Sequence, residues 1–143
     1  MIILDTDTLS IAQHPDSAAA KVLRRRMVAL PATQFVGTTI ITYEEQTRGW
    51  FTFLSKARQP AQRIEAYARL LKHLDNWRLM NVLPFDDRAE ADYASLRSLK
   101  LKLGASDLKI AAIARVNDGL LLSRNLQDFG KIPHLRVEDW TQG

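Results

Sequence analysis

Short apolar runs alternate with longer helix-like segments along this 143-residue chain, and this alternation most limits the folds open to it. The first run, Met1 to Leu4, ends abruptly in Asp5. Most of the runs are separated by segments with helical periodicity, and strands joined by helices pair in parallel through right-handed crossovers. The sequence therefore predicts an α/β fold with a parallel sheet, in a single domain covering residues 1–143. The five predicted strands cover residues 1–4, 35–40, 79–85, 120–123 and 136–137.

Capping residues predict where the helices begin. Two long segments, from Thr42 to about Arg58 and from Pro60 to about Asp75, are expected to form a helical hairpin. The predicted helix starts, in chain order, are Asp7 or Thr8, Ser17, Thr42, Pro60, Asp86 or Asp87, and Ser106.

The charge balance favours a polyanionic partner such as RNA or DNA. Lys and Arg total 20 against 16 Asp and Glu, which gives a net charge of +4. Basic residues cluster at Arg24, Arg25 and Arg26 and again between residues 97 and 109, although a solvated helix face is the favoured explanation of such clusters. The chain has no cysteine, which excludes disulfides and thiolate zinc sites.

The sequence predicts a soluble, cytoplasmic protein with no membrane partner. Met1 leads directly into Ile2-Ile3-Leu4-Asp5, without the basic and long apolar regions of a signal peptide. No apolar run approaches the roughly 20 residues that span a bilayer.

Three acidic residues stand where a ligand site of a parallel sheet is expected, outside the carboxyl ends of strands. Asp5 directly follows the first strand, and hydrogen bonding to backbone amides of the next turn is its alternative role. Glu45 lies three residues after Thr42, the spacing of a capping box, and only one of Glu44 and Glu45 can point towards a pocket. Asp107, in the first turn of a predicted helix, is also explained by the helix dipole.

A fourth strand-end segment adds further oxygen ligands. Ser123, Asn125 and Asp128 follow the fourth predicted strand, and capping of a turn by Asn125 is the competing explanation. Hard oxygen ligands of this kind suit Mg²⁺ or Mn²⁺. Such an ion activates water and neutralises charge on a phosphodiester without cysteine or histidine, so the combination favours a metal-dependent phosphodiesterase.

Six segments, in the same order, resemble motifs of PIN-domain nucleases and in particular of VapC-like toxins. Residues 3–10 (ILDTDTLS) are similar to the opening of the family, and residues 42–49 (TYEEQTRG) to its Thr-x-x-Glu motif, an alignment that selects Glu45 over Glu44. The others are residues 82–86 (VLPFD), 103–112 (LGASDLKIAA), 121–129 (LLSRNLQDF) and 137–140 (VEDW).

The resemblance implies a three-layer α/β/α sandwich around about five parallel strands, and a Mg²⁺- or Mn²⁺-dependent endoribonuclease acting as a toxin. It also implies a small VapB-like antitoxin as partner, and a homodimer. By resemblance Asp5 and Asp107 are the principal metal ligands, Glu45 completes the catalytic site and orients the ion-bound water, and Ser123 takes the hydroxyl position. Asp7 stands where the family motif commonly has Asn. It therefore either adds a negative charge to the pocket or caps the first helix. Asn125 stands where PIN nucleases outside the toxin branch have a fourth Asp, so one ion is expected rather than two, with Asp128 in a supporting role.

Basic residues near the predicted pocket are candidate RNA contacts, with exposed surface charge as their alternative explanation. They are Arg24, Arg25, Arg26, Arg48, Lys109 and Arg124.

Two rival functions are open from the sequence. Asp5-Thr6-Asp7 resembles the Asp-x-Asp pair of haloacid-dehalogenase-like phosphatases, although that family expects Thr or Val where this chain has Leu9. The other rival is a non-catalytic PIN-like module that binds RNA or a protein.

Overall fold

The computed structural model describes residues 1–143 and contains one five-stranded sheet with helices on both sides. The elements in chain order are β1 (Ile2–Leu4), α1 (Thr6–Ala12), α2 (Ala18–Val28), β2 (Val36–Thr39), α3 (Ile40–Ser55), α4 (Pro60–Trp77), β3 (Val82–Leu83), α5 (Asp87–Ser98), α6 (Ala105–Val116), β4 (Leu120–Leu122), α7 (Leu126–Phe129) and β5 (Arg136–Glu138).

All the strand pairs are parallel, in the order β3-β2-β1-β4-β5. The chain begins in the centre of the sheet, adds β2 and β3 on one side, and returns to add β4 and β5 on the other. The topological switch point therefore lies at β1, where the connections leave in opposite directions. In open parallel sheets the carboxyl edge at such a point is the usual place for a ligand site.

Side chains of the central strands alternate between two cores, because successive residues of a strand point to opposite faces. Ile3 and Leu121 pack with the buried face of α6, where residues 110–114 are all fully buried. Ile2, Leu4 and Leu122 pack on the other face with residues of α1, α2 and α4 such as Leu23 and Trp77. These two cores confirm the predicted three-layer α/β/α sandwich.

Three predicted helix starts are wrong, and in each case the helix begins earlier than expected. α1 is capped by Asp5 instead of Asp7 or Thr8, because the Asp5 carboxylate leaves β1 in an extended conformation within reach of the Thr8 amide. α3 is capped by Thr39 instead of Thr42, since the chain turns into the helix directly at the end of β2. The cap residue of α6 is Gly104, which places Ser106 inside the helix.

The other predicted starts are confirmed. Ser17 caps α2, Pro60 is the first residue of α4, and Asp86 rather than Asp87 caps α5. The predicted hairpin of α3 and α4 is also confirmed, and a contact between Thr47 and His73 ties the two helices together. The first four strands are shorter than predicted, the fifth extends one residue further, to Glu138, and the short α7 was not foreseen. None of the helices combines the length and the apolar character needed to cross a membrane.

Candidate acidic site

Asp5 lies at the carboxyl end of β1 and is almost completely buried, with 6% of its surface exposed. Its Oδ1 accepts a hydrogen bond from the Thr8 amide at 2.8 Å, so the expected backbone contact of the next turn is present. Burial raises the pKa of the Asp5 carboxyl, while the Ser123 hydroxyl and the Thr8 amide act in the opposite direction. Asp5 therefore caps α1 and is at the same time a buried acid whose negative charge lowers the stability of the fold.

Glu45 is a member of the site and not a capping-box residue. Because α3 begins at Ile40, the Thr42 amide donates to the Thr39 hydroxyl at 3.2 Å and has no need of Glu45. The Glu45 Oε1 instead accepts a hydrogen bond from the Thr6 hydroxyl at 2.6 Å. Glu44 points away and pairs with Arg48 on the exposed face of α3, which agrees with the choice of Glu45 made from the family motif.

Three threonine hydroxyls, which we call the threonine row, form a hydrogen-bonded series that ends at Glu45. The Thr6 and Thr42 hydroxyl oxygens are 3.1 Å apart, and those of Thr39 and Thr42 are 3.3 Å apart. Each hydroxyl has a single proton, so Thr6, which gives its proton to Glu45, accepts from Thr42, and Thr42 accepts from Thr39. Thr42 and Thr39 are fully buried, which holds the row in place.

Asp107 brings the third carboxylate to the same place from the first turn of α6. Its pKa is raised, first by burial and then by the negative charges of Glu45, Asp5 and Asp128. Like charges influence a pKa in this way only when they are close. The predicted catalytic residues Asp5, Glu45 and Asp107, supplied by β1, α3 and α6, therefore meet at one end of the sheet.

The predicted supporting residues surround these three acids. Asp7 is exposed in the first turn of α1, where its charge contributes to the raised pKa of Asp5. Ser123 is buried and accepts a hydrogen bond from the Asn125 amide at 2.9 Å. Asn125 caps α7, as its alternative explanation required, and its side-chain amide donates to Asp128 Oδ2 at 3.0 Å.

Asp128 is close enough to influence Asp107 but has partners of its own. The hydrogen bond from Asn125 lowers the pKa of the Asp128 carboxyl, and Lys131 lies 3.4 Å from its Oδ1. These contacts stabilise its charged form on the rim of the site.

The donor set fits a hard divalent cation. The side chains of Asp5, Glu45, Asp107 and Ser123 offer carboxylate or hydroxyl oxygens, the ligands that hard cations prefer. The raised pKa values of Asp5 and Asp107 indicate an electrostatic cost of their negative charges, which a bound cation would relieve. No three acidic or histidine side chains are arranged as a ligand set for a metal in the structure. An ion held by these residues would have to draw their oxygens together.

Comparison with known proteins supports this fold over nearly the whole chain. No family model and no curated protein matches the sequence. Among solved structures, VapBC-1 from nontypeable Haemophilus influenzae contains a chain that is 25% identical, with a TM-score of 0.70 over 99% of this chain and 100% of that one. The chain has a VapC-like PIN-domain fold. FitAcB from Neisseria gonorrhoeae matches at 23% identity and a TM-score of 0.68 over 98% of both chains, and a toxin-antitoxin complex from Klebsiella pneumoniae at 21% and 0.60 over 98% of both.

The basic residues predicted to contact RNA lie around this VapC-like fold without touching the three acids. Arg48 is paired with Glu44, and the Lys109 ammonium lies 5.5 Å from the centre of the Tyr93 ring. Arg26 stacks on Trp140 at 4.4 Å. Arg24, Arg25 and Arg124 are exposed. Their role in binding RNA stays a prediction.

Thr6 and Thr42 are the site residues of this VapC-like fold that the sequence analysis missed as functional groups. Both occur inside the motifs quoted above, but a hydroxyl has no distinctive spacing signal. The one indication in the sequence was the position of Thr6 between Asp5 and Asp7, directly after the first predicted strand and therefore at the edge of the sheet where the site was expected.

Proposed function

We propose that this protein is a Mg²⁺- or Mn²⁺-dependent endoribonuclease, the toxin of a toxin-antitoxin pair, that hydrolyses RNA phosphodiester bonds. The observation that carries the proposal is the convergence of Asp5, Glu45 and Asp107, expressed in the raised pKa of Asp107. Three acids gathered at the carboxyl edge of a parallel sheet have no structural task in common, and their repulsion destabilises the fold. A cation-dependent reaction supplies the reason for keeping them.

Asp5 and Asp107 are the residues that would hold the ion, with Glu45 bound to it through water. When bound, the ion supplies a nucleophilic water at neutral pH and neutralises charge on the phosphodiester. The Ser123 hydroxyl, which lowers the pKa of the Asp5 carboxyl, would help to keep that carboxylate charged. The resemblance to PIN nucleases favours products with a 5′-phosphate on the downstream fragment.

Glu45 acts on the attacking water through Oε2, the oxygen that Thr6 does not use. The Thr6 hydroxyl fixes the other oxygen at 2.6 Å, and the buried threonine row fixes Thr6 in turn. A carboxylate oriented in this way would accept a hydrogen bond from the water and so direct a lone pair of the water oxygen towards phosphorus. Correct orientation of this kind contributes to rate without any new bond to the substrate.

A small VapB-like antitoxin is the proposed protein partner, and a homodimer in the cytoplasm is the proposed state of the toxin. The support is the similarity over nearly the full chain to VapBC-1 of Haemophilus influenzae and to a toxin-antitoxin complex of Klebsiella pneumoniae. Expression of the chain alone is expected to arrest growth, and co-expression of a small adjacent gene to relieve the arrest.

Cleavage of total RNA by purified, antitoxin-free protein with Mg²⁺ or Mn²⁺ tests the proposal. The variants are Asp5→Asn and Asp107→Asn, because asparagine at position 5 retains an oxygen for the Thr8 amide and hence the cap of α1. Asp16→Asn is the matched control, since Asp16 is exposed and its carboxylate makes no hydrogen bond or ion pair. We expect cleavage by the wild type and the control and none by the two site variants.

Identical RNA profiles for all four proteins, under conditions where the metal is shown to bind, would contradict the proposal and favour a non-catalytic RNA-binding module. Hydrolysis of a small phosphoester without RNA cleavage, lost in Asp7→Ala and kept in Glu45→Ala, would instead favour a haloacid-dehalogenase-like phosphatase.

A further inference from the structure

A recess lies between the end of α1 and the hairpin of α3 and α4. Its volume is about 410 Å³, within the range of sites that hold small ligands. We call it the Trp50 recess. Its principal lining residues are Gln13, His14, Trp50, Arg69, Lys72 and His73.

The charges of the Trp50 recess suit an anion. Arg69 and Lys72 face one acid, Glu65, which is 2.9 Å from the Arg69 guanidinium. Lys72 makes no hydrogen bond or ion pair within the chain, so its ammonium is free for a ligand. Nδ1 of His14 lies 2.7 Å from the Ser10 carbonyl oxygen, which can only accept, so Nδ1 holds the proton and Nε2 stays available.

The ring of Trp50 suits a planar base. Arg69 lies 6.0 Å from the centre of the Trp50 ring, whereas Arg26 closes over Trp140 at 4.4 Å. The indole N–H of Trp77 donates to Gln46 and that of Trp140 donates to Glu138, but the N–H of Trp50 has no partner. An aromatic ring beside a cation without a partner, here Lys72, is the combination with which proteins bind unpaired nucleotides.

A groove leads from the recess along α1 and α3 towards Gln46, the neighbour of Glu45, and Ser10, which lies one helical turn after Thr6. It has a volume of about 330 Å³ and is lined by Ser10, Gln46 and Gly49 as well as Trp50. A side chain placed on Gly49 would meet nothing within 4 Å, so this face of α3 is open. Glu45 and Trp50 are separated by about 7.5 Å along the axis of α3 and by about 140° around it, at the usual rise and turn per residue. An RNA strand that occupies both places would therefore cross the open face of α3 at Gly49.

We propose that the Trp50 recess binds one unpaired nucleotide of the RNA strand whose phosphodiester lies at the acidic site. The base stacks on Trp50, and Lys72 and Arg69 contact its phosphate. This inference rests on the proposed ribonuclease function and adds a substrate subsite to it, one that selects unstacked RNA over a duplex.

Binding of a short, fluorescently labelled single-stranded RNA in EDTA tests the subsite without cleavage. Lys72→Gln removes an exposed, unpaired charge and is expected to weaken binding several-fold and to reduce the dependence of log affinity on log salt by about 0.7, the share of one phosphate contact. Trp50→Leu is expected to weaken binding about 10-fold, since stacking of one base accounts for that order of change. Lys21→Gln, the same charge change on the exposed surface of α2, should leave the affinity almost unchanged.

A second measurement does not depend on RNA cleavage or on any variant. Titration of ¹⁵N-labelled protein with adenosine 5′-monophosphate should shift the indole signal of Trp50, while the hydrogen-bonded indoles of Trp77 and Trp140 serve as internal controls. A larger shift of the Trp50 signal than of the other two supports nucleotide binding in the Trp50 recess even if the protein proves not to cut RNA. In that case only the proposed function fails.

Several results would overturn the inference. If the wild type cuts RNA but Lys72→Gln and Trp50→Leu bind the labelled RNA as the wild type does, the recess is no subsite, although the nuclease stands. Equal shifts of all three indoles would also contradict it. If an oligoglutamate peptide shifts the Trp50 indole at a lower concentration than RNA or the mononucleotide does, the recess belongs to an acidic protein partner.

Discussion

Replacing Asp107 by asparagine should stabilise the ion-free protein while it abolishes activity. The helix dipole favours a negative charge at Asp107 by about 0.3–1 kcal/mol. Against it act burial and the charges of Glu45, Asp5 and Asp128. One pair of unit charges about 4 Å apart costs about 1 kcal/mol in water, and more in a less polar surrounding. Since the pKa of Asp107 is raised, burial and repulsion outweigh the dipole, and we expect Asp107→Asn to raise the free energy of unfolding by about 1 kcal/mol at pH 7.

The sign of the pH dependence follows from the same pKa. A raised pKa means that the folded protein binds the proton of Asp107 more readily than the unfolded chain does, so the wild type loses stability as the pH rises above the ordinary value of 3.8. The advantage of Asp107→Asn is therefore complete above the folded-state pKa and disappears as the pH falls below 3.8.

Urea unfolding in EDTA, at pH 7 and at a series of acidic pH values, measures this difference, with Asp16→Asn as the control. Addition of Mg²⁺ should reverse the order, because an ion at a hundred times its Kd stabilises the wild type by about 2.7 kcal/mol and a variant that binds it 10-fold more weakly by about 1.4 kcal/mol. If Asp107→Asn is less stable than the wild type in EDTA at pH 7, the carboxylate makes net favourable contacts and the argument from repulsion is refuted.

Three further predictions concern the support of the site and the helical hairpin. Thr6→Val removes the donor to Glu45 and should lower kcat for RNA cleavage about 10-fold or more with little change in KM, whereas Thr6→Ser should restore it. Thr39→Ala removes the cap of α3 and should cost about 1 kcal/mol in urea unfolding, with the exposed Thr33→Ala as control. Burial lowers the pKa of His73, so wild-type stability should fall as the pH drops through 6.5, and His73→Phe should flatten that part of the stability profile.

The layered fold could be predicted from the sequence because its signals are local. Apolar runs such as Ile2-Ile3-Leu4 and Leu120-Leu121-Leu122 read as buried strands, and the segments between them have helical periodicity. The order of the strands in the sheet was not predicted, since it depends on which strands pair and not on any single segment. The four-residue α7 is too short to show a helical period.

The helix starts show why part of the site was ambiguous. Residues 38–42 read Thr-Thr-Ile-Ile-Thr, so several hydroxyls were candidates for the cap of α3. The end of β2 decides for Thr39, and this choice frees Glu45 for the site. The residues alone left Glu45 as a capping-box residue, and only the family motif pointed to its position in the pocket.

Asp5 and Asp107 posed a different problem, because the structural and the functional explanations are both correct. Asp5 caps α1 and also lies beside the other acids, and Asp107 lies in the first turn of α6 while their charges raise its pKa. A sequence places each residue at a strand end or helix start, but the distance between them depends on the crossovers of the sheet.

Direct titration with Mn²⁺, followed by electron paramagnetic resonance, tests most directly whether Asp5, Glu45 and Asp107 form one ion site. The wild type and Asp16→Asn should bind the ion with the same affinity, while Asp5→Asn and Asp107→Asn should each bind it at least about 10-fold more weakly, and Glu45→Gln should show a smaller loss. Unchanged Mn²⁺ affinity in both Asp5→Asn and Asp107→Asn would contradict the account.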